Sequence, residues 1–205
     1  MEIKSLSIRT DGFVHCRSNF YIVNDTILVP TVLEFVPGLN KLEGEVDSGK
    51  WAFSYMISMY HVRKKDFVLY EKPIVTVNGE MADTKKLYKI SCYLDLIYPL
   101  YSSRKSIRKQ VEKGLARSGL CYSSDEIRDL FKIDRERFEK TPGCVGNERF
   151  KAMAAIGFAN NKEVFCFPWL SDRRYKNFHG NISGLIETLE NLGKVIILPV
   201  GKADD

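Results

Sequence analysis

The chain has 205 residues, 44% of them hydrophobic, and carries a net charge of +5. That is enough sequence for one well-buried core, and the composition excludes disordered, collagen-like and disulfide-rich classes. No apolar stretch is long enough to cross a bilayer and no secretory leader opens the chain, so a soluble protein is expected, and its odd, unpaired cysteines place it in the reducing cytoplasm.

In chain order, the residues up to about Asn40 read as short strands. Glu2 to Arg9 alternates polar and apolar residues, Phe20 to Val23 and Ile27 to Val36 are rich in β-formers, and Pro30, Pro37 and Gly38 punctuate them. A short strand over Asn40 to Val46 feeds a glycine-lysine loop. From Lys50 to Val62 apolar residues cover most of a helical circumference, which predicts a helix buried on nearly all sides. Val75 to Glu80 reads as a strand ending in an Asn-Gly hairpin turn, and Lys89 to Leu94 as another strand. Ser103 to Arg117 carries Ile107, Val111 and Leu115 at helical spacing. Ser124 is the expected cap of the next helix, with Asp125 and Glu126 in its first turn. A turn at Pro142-Gly143 precedes a helix over Glu148 to Phe158, and Val164 to Phe167 has the wholly apolar character of a buried strand. A helical stripe from Ile182 to Leu192 stops at Gly193, and Val195 to Val200 is a last buried strand.

Charge and reactive groups narrow the function classes. The five cysteines (Cys16, Cys92, Cys121, Cys144, Cys166) are odd in number and include no C-x-x-C pair, which argues against a disulfide framework or a zinc site. They also lack the nearby base a thiol nucleophile needs. His15, His61 and His179 share no metal-binding or catalytic spacing. Basic residues gather at Arg104-Lys105, Arg108-Lys109 and Arg173-Arg174, as a nucleic-acid binder would need on one face. Acids at Glu112, Asp125, Glu126, Asp129, Asp134 and Glu136 dilute them, and no recognition motif is present. Solvated helix faces are the expected reading, and no nucleic-acid partner is favoured.

The most informative stretch is Gly44-Glu45-Val46-Asp47-Ser48-Gly49-Lys50-Trp51. Its G-x-x-x-x-G-K spacing is that of a phosphate-binding loop, in which backbone N–H groups wrap the phosphates and the lysine reaches the outer ones. The Ser/Thr that should follow the lysine to hold Mg²⁺ is replaced by Trp51 and then Ala52. Asp47 puts a negative charge where a polyphosphate would lie. A strand before the loop and a buried helix after it supply the context such a match requires.

This order of motifs resembles the nucleotide-binding domain of an ABC transporter, the ATP-binding cassette, over nearly the whole chain. The resemblance implies a single α/β domain over residues 1–205. Its P-loop NTPase-like sheet would have helices on both faces, beside a smaller N-terminal antiparallel β region and a helical insertion over about 102–160. The family's Walker A loop matches at Gly44, Ser48, Gly49 and Lys50 and departs at Asp47, Trp51 and Ala52. These six loop positions, Gly44, Asp47, Ser48, Gly49, Lys50 and Trp51, are the expected nucleotide-binding residues. Phe20 or Tyr21 corresponds in position to the aromatic residue that stacks on adenine in the family.

The family's glutamine loop would fall near Asp95 or Leu96, where no glutamine stands. Its helix-opening signature is similar to Gly143-Cys144-Val145-Gly146-Asn147, with only Gly146 kept. The strand that should end in two acids reads Val164-Phe165-Cys166-Phe167-Pro168-Trp169, without a carboxylate in either register. The last strand leads to Pro199, Val200 and Gly201 in place of a histidine.

What the resemblance implies is therefore a degenerate cassette without hydrolytic machinery, a pseudo-ATPase. Its partners would be an intact cassette, a membrane subunit or both, with a dimer among the arrangements, and its place the inner face of the membrane. The alternative is an enzyme subunit or sensor that retains weak ATP or ADP binding through Lys50 and the loop amides.

Overall fold

A computed structural model describes residues 2–18, 21–177 and 179–201, with the side chains of 25–31, 174 and 179 left out. It is an α/β fold built on two five-stranded sheets. The antiparallel sheet begins with a long hairpin, β1 (Leu6–Arg17) and β2 (Ile22–Phe35). The expected short strands of this region are thus two long ones. β2 pairs only with β1 among the described residues, and an edge strand tolerates Pro30 because one side of its backbone is not in the ladder.

The parallel sheet starts at β3 (Gly38–Glu43), the strand that feeds the glycine-lysine loop, and α1 (Lys50–Met59) follows. β4 (Phe67–Leu69), β5 (Ile74–Val77) and β6 (Glu80–Met81) return to the antiparallel sheet. The β5–β6 turn is Asn78-Gly79, both in the left-handed region at φ 53° and 80°, as the hairpin signal requires.

The expected strand over Lys89 to Leu94 is shorter. A helix, α2 (Thr84–Ile90), runs into it and β7 (Ser91–Tyr93) follows. The helical part comprises α3 (Ile107–Ser118), α4 (Ser124–Leu130), α5 (Arg135–Phe138) and α6 (Arg149–Ala159). Ser123, not Ser124, caps α4: it accepts the Glu126 N–H, and the Glu126 carboxylate accepts the Ser123 N–H in a reciprocal capping box. The chain closes with β8 (Val164–Cys166), β9 (Leu170–Ser171), α7 (Asp172–Asn177), α8 (His179–Asn191) and β10 (Val195–Gly201).

The parallel sheet has the order β3-β10-β8-β7, with β9 beside the end of β10. The last strand is therefore inserted between β3 and β8. Side chains alternate between its two faces. Cys92 and Phe165 face α6, where Gly157 leaves room for them, while Cys166 faces Ser54 and Ser58 of α1. α1 is also covered from the opposite side by the antiparallel sheet, through Phe13 on Phe53 at 5.1 Å and Phe67 on Tyr55 at 5.2 Å. Every residue from Trp51 to Met59 is consequently buried. A helix held between two sheets has no solvent face to keep polar, which accounts for its all-round apolarity.

Candidate functional site

The six expected loop residues lie at the carboxyl end of β3, where the chain order reverses between β3 and β10 and where open parallel sheets place their ligand crevices. Gly44 is anchored at both backbone groups. Its N–H donates to the Val200 carbonyl at 3.0 Å, and its own carbonyl accepts the indole N–H of Trp169 at 3.1 Å. Gly201 permits that approach, because a Cβ there would lie 2.0 Å from the Gly44 oxygen.

Val46–Ser48 form a single 3-10 turn, and Gly49 then takes φ 71°, ψ 0° to redirect the chain into α1. That left-handed conformation is cheap only for glycine. Ser48 Oγ donates to the Glu45 carbonyl at 2.6 Å. The exposed Lys50 is folded back, with its Nζ donating to the Glu43 carbonyl at 2.5 Å. Asp47 is exposed on the turn and makes no ion pair among the described residues. Gly44, Ser48 and Lys50 thus meet at the base of the loop, where a Cβ on Gly44 would sit 2.5 Å from Ser48 Oγ and 3.2 Å from Lys50 Cδ. Asp47 stands outside this group.

Trp51 is 1% exposed, and its indole N–H donates to the Val46 carbonyl at 2.7 Å. Its ring packs on Tyr21 at 5.7 Å and Tyr55 at 6.4 Å, and Tyr21 also meets Trp169 at 5.5 Å. The residue after the lysine, where the family resemblance leads one to expect a metal-holding hydroxyl, therefore belongs to the core. Tyr21, one of two candidates for stacking on adenine, is engaged by two tryptophans. The other, Phe20, lies outside the described residues.

The end of β8 is apolar in fact as well as in sequence. Cys166 and Phe167 are fully buried, and Phe167 accepts Ser54 Oγ at its carbonyl, 2.6 Å away. A half-buried carboxylate does stand beyond β7, at Asp95, which accepts the Ile97 N–H at 3.2 Å. Burial raises its pKa, opposed by that hydrogen bond and by Arg149. The signature-like segment forms two 3-10 turns, Pro142–Cys144 and Gly146–Glu148, leading into α6. Val145 is buried between them, and Gly146 has φ 54°.

Sequence reasoning quoted Trp169 without singling it out. Its contact with Gly44 spans 125 residues, and no local signal marks it. Among the described residues no cluster of metal-binding side chains is present, and no helix is long and apolar enough to cross a membrane. Cys16, Cys92 and Cys166 are buried and Cys121 and Cys144 exposed, all as free thiols. Burial pushes the Cys92 thiol up to about 12, which leaves it unreactive.

No protein-family model matches the chain, and no curated protein does. Among solved structures it is similar to a Pyrococcus furiosus protein assigned as an ABC transporter ATP-binding protein. The TM-score is 0.60 at 16% identity, covering 98% of this chain and 94% of that one. At such identity the likeness speaks for the fold. The chain shares the fold of that ATP-binding protein, an α/β arrangement with a parallel sheet beside an antiparallel one.

Proposed function

We propose that this protein is a degenerate ATP-binding cassette that does not hydrolyse ATP and acts as an accessory or structural subunit of an ABC transport system. Its partner would be an intact cassette or a membrane subunit at the cytoplasmic face. The observation that carries this reading is the loop closed by the protein's own side chains. Trp51 fills the magnesium-ligand position from within the core, Trp169 holds the Gly44 carbonyl, and Lys50 is bound to Glu43.

ATP hydrolysis is mostly positioning and charge neutralisation, with the metal held by a hydroxyl and an acid and water oriented by a further polar group. Here the side chains at the end of β8 are a thiol and a phenyl ring, both buried. Purified protein with MgATP is expected to release no phosphate above a blank, and Lys50→Ala to change nothing. Turnover that disappears in Lys50→Ala would sink the proposal. Association with a co-encoded cassette or membrane subunit should persist without ATP and magnesium. Co-purification only in their presence would show a working nucleotide sandwich instead.

A second reading, weak ATP or ADP binding without turnover, draws on the backbone. Gly49 turns the chain so that α1 begins at Lys50, and the first N–H groups of a helix attract phosphate.

A further inference from the structure

The helical part holds a basic cleft that the nucleotide-loop reading does not use. It lies between the 99–105 segment, one flank of α3 and the end of α6, and encloses about 290 Å³. Lys105, Lys113 and Arg117 line it, and no carboxylate does. None of the three is in an ion pair among the described residues. Three other cations of this region are paired: Arg108 with Asp125 and Glu139, Arg128 with Asp125 and Asp129, Arg137 with Glu148. α3 therefore has two unlike polar flanks. On one, Arg108 is held by two carboxylates. On the other, like charges converge with nothing to neutralise them, an arrangement that costs stability in the absence of an anion.

The cleft is also built. Gln110 is 6% exposed on a face otherwise made of Ile107, Val111, Gly114 and Leu115. Its amide donates to the Ser102 and Lys105 carbonyls at 3.1 and 2.8 Å, and its oxygen accepts the Ser102 N–H at 2.7 Å. These bonds pin the segment carrying Lys105 against α3, so Lys105 is positioned by a buried polar residue. Tyr101 shares the lining, but its buried hydroxyl has no nitrogen or oxygen partner and sits beside the Cys92 thiol. It is not counted among the ligands.

From this geometry we infer that the cleft binds a phosphate group, with Lys105, Lys113 and Arg117 as its ligands and Gln110 as the positioning residue. The volume lies at the small end of ligand pockets, which run from about 300 to 1,000 Å³. A small phosphate ester fits, rather than a nucleotide. The same chemistry is offered by a soluble phosphate ester and by a phospholipid headgroup.

Calorimetry at low salt with inorganic phosphate and glycerol phosphate tests the first source. Co-sedimentation with phosphatidylglycerol vesicles, against phosphatidylcholine vesicles, tests the second. The Lys113→Gln/Arg117→Gln double variant, at two exposed sites, should weaken binding about tenfold or more, as loss of charge-assisted hydrogen bonds does. Lys109→Gln, on the same helix but outside the cleft, and Lys50→Ala, in the β3–α1 loop, should each change it less than about twofold. Saturable binding of the soluble esters with that pattern supports the site with a free ligand. The same pattern seen only with anionic vesicles supports it with a lipid headgroup. Absence of binding by every probe overturns the inference, as does a loss in Lys109→Gln equal to that of the double variant, which would reveal a diffuse charge effect. Loss confined to Lys50→Ala also overturns it, since the phosphate then sits at the glycine-lysine loop.

Discussion

At the scale of single residues, two tryptophans hold the glycine-lysine loop, and one of them, Trp51, stands where the family resemblance would lead one to look for a hydroxyl. Trp51 is inside the core and Trp169 nearly so, at 1% and 9% exposed, and each donates its indole N–H to a carbonyl of the same loop. Trp51→Ala should cost about 3–5 kcal/mol in urea unfolding, as removal of a buried aromatic ring does. Trp169→Phe keeps most of the ring and loses one hydrogen bond, worth about 1 kcal/mol. If Trp51→Ala were nearly neutral, the ring would not be holding the loop. Asp95 offers a test by pH. Its folded pKa is raised, mainly by burial, above the ordinary value of 3.8. The protonated form therefore suits the folded state better, and its contribution is complete below about pH 4 and lost as pH rises through the folded value. Asp95→Asn cannot ionise and should be more stable than the wild type at pH 7, with the difference closing as pH falls toward 4. A less stable variant at pH 7 would mean that the carboxylate has a favourable partner. The missing hydroxyl and acids are legible in residue identity alone. The engagement of Tyr21 by both tryptophans is not, because those contacts join distant parts of the chain.

At the scale of elements, long periodic segments are readable and short ones are not. α1, α3, α6 and α8 announce themselves because ten or more residues repeat an apolar pattern. α2, α5 and α7 have seven, four and six residues, too few for a period to show. In α2 the only fully buried residue is Leu87, so the Lys89–Leu94 run reads as β. The cap of α4 differs by one residue from the expected one because Ser123 and Ser124 are equally plausible by type, and only backbone geometry separates them. Ser123→Ala should cost about 1 kcal/mol by breaking the capping box. Ser124→Ala, which loses side-chain contacts with Arg108 and Glu112 but no cap of the helix backbone, should cost less. The reverse order in thermal unfolding would place the cap at Ser124.

At the scale of the whole molecule, the proposed weakness of the nucleotide site has a thermodynamic consequence. A ligand at a concentration equal to its Kd stabilises the folded state by RT ln 2, about 0.4 kcal/mol. If binding is millimolar, 1 mM MgATP should raise Tm by less than about 2 °C. A clearly larger rise would favour nucleotide binding as the retained role. What the sequence determined by itself was local: the apolar segments of β8 and β10, the glycine-lysine spacing, the helix that follows it and the absence of carboxylates after Val164. These are properties of neighbouring residues, and alternation, periodicity and spacing record them directly. Tertiary structure decided how the loop is closed, by Trp169 and Val200 from the far end of the chain. It also set α1 between two sheets, and left Lys105, Lys113 and Arg117 facing a cleft while Arg108 was neutralised. Those outcomes depend on which distant groups the fold brings within a few ångströms, and a hydrogen bond or ion pair leaves no local pattern to say where its partner is.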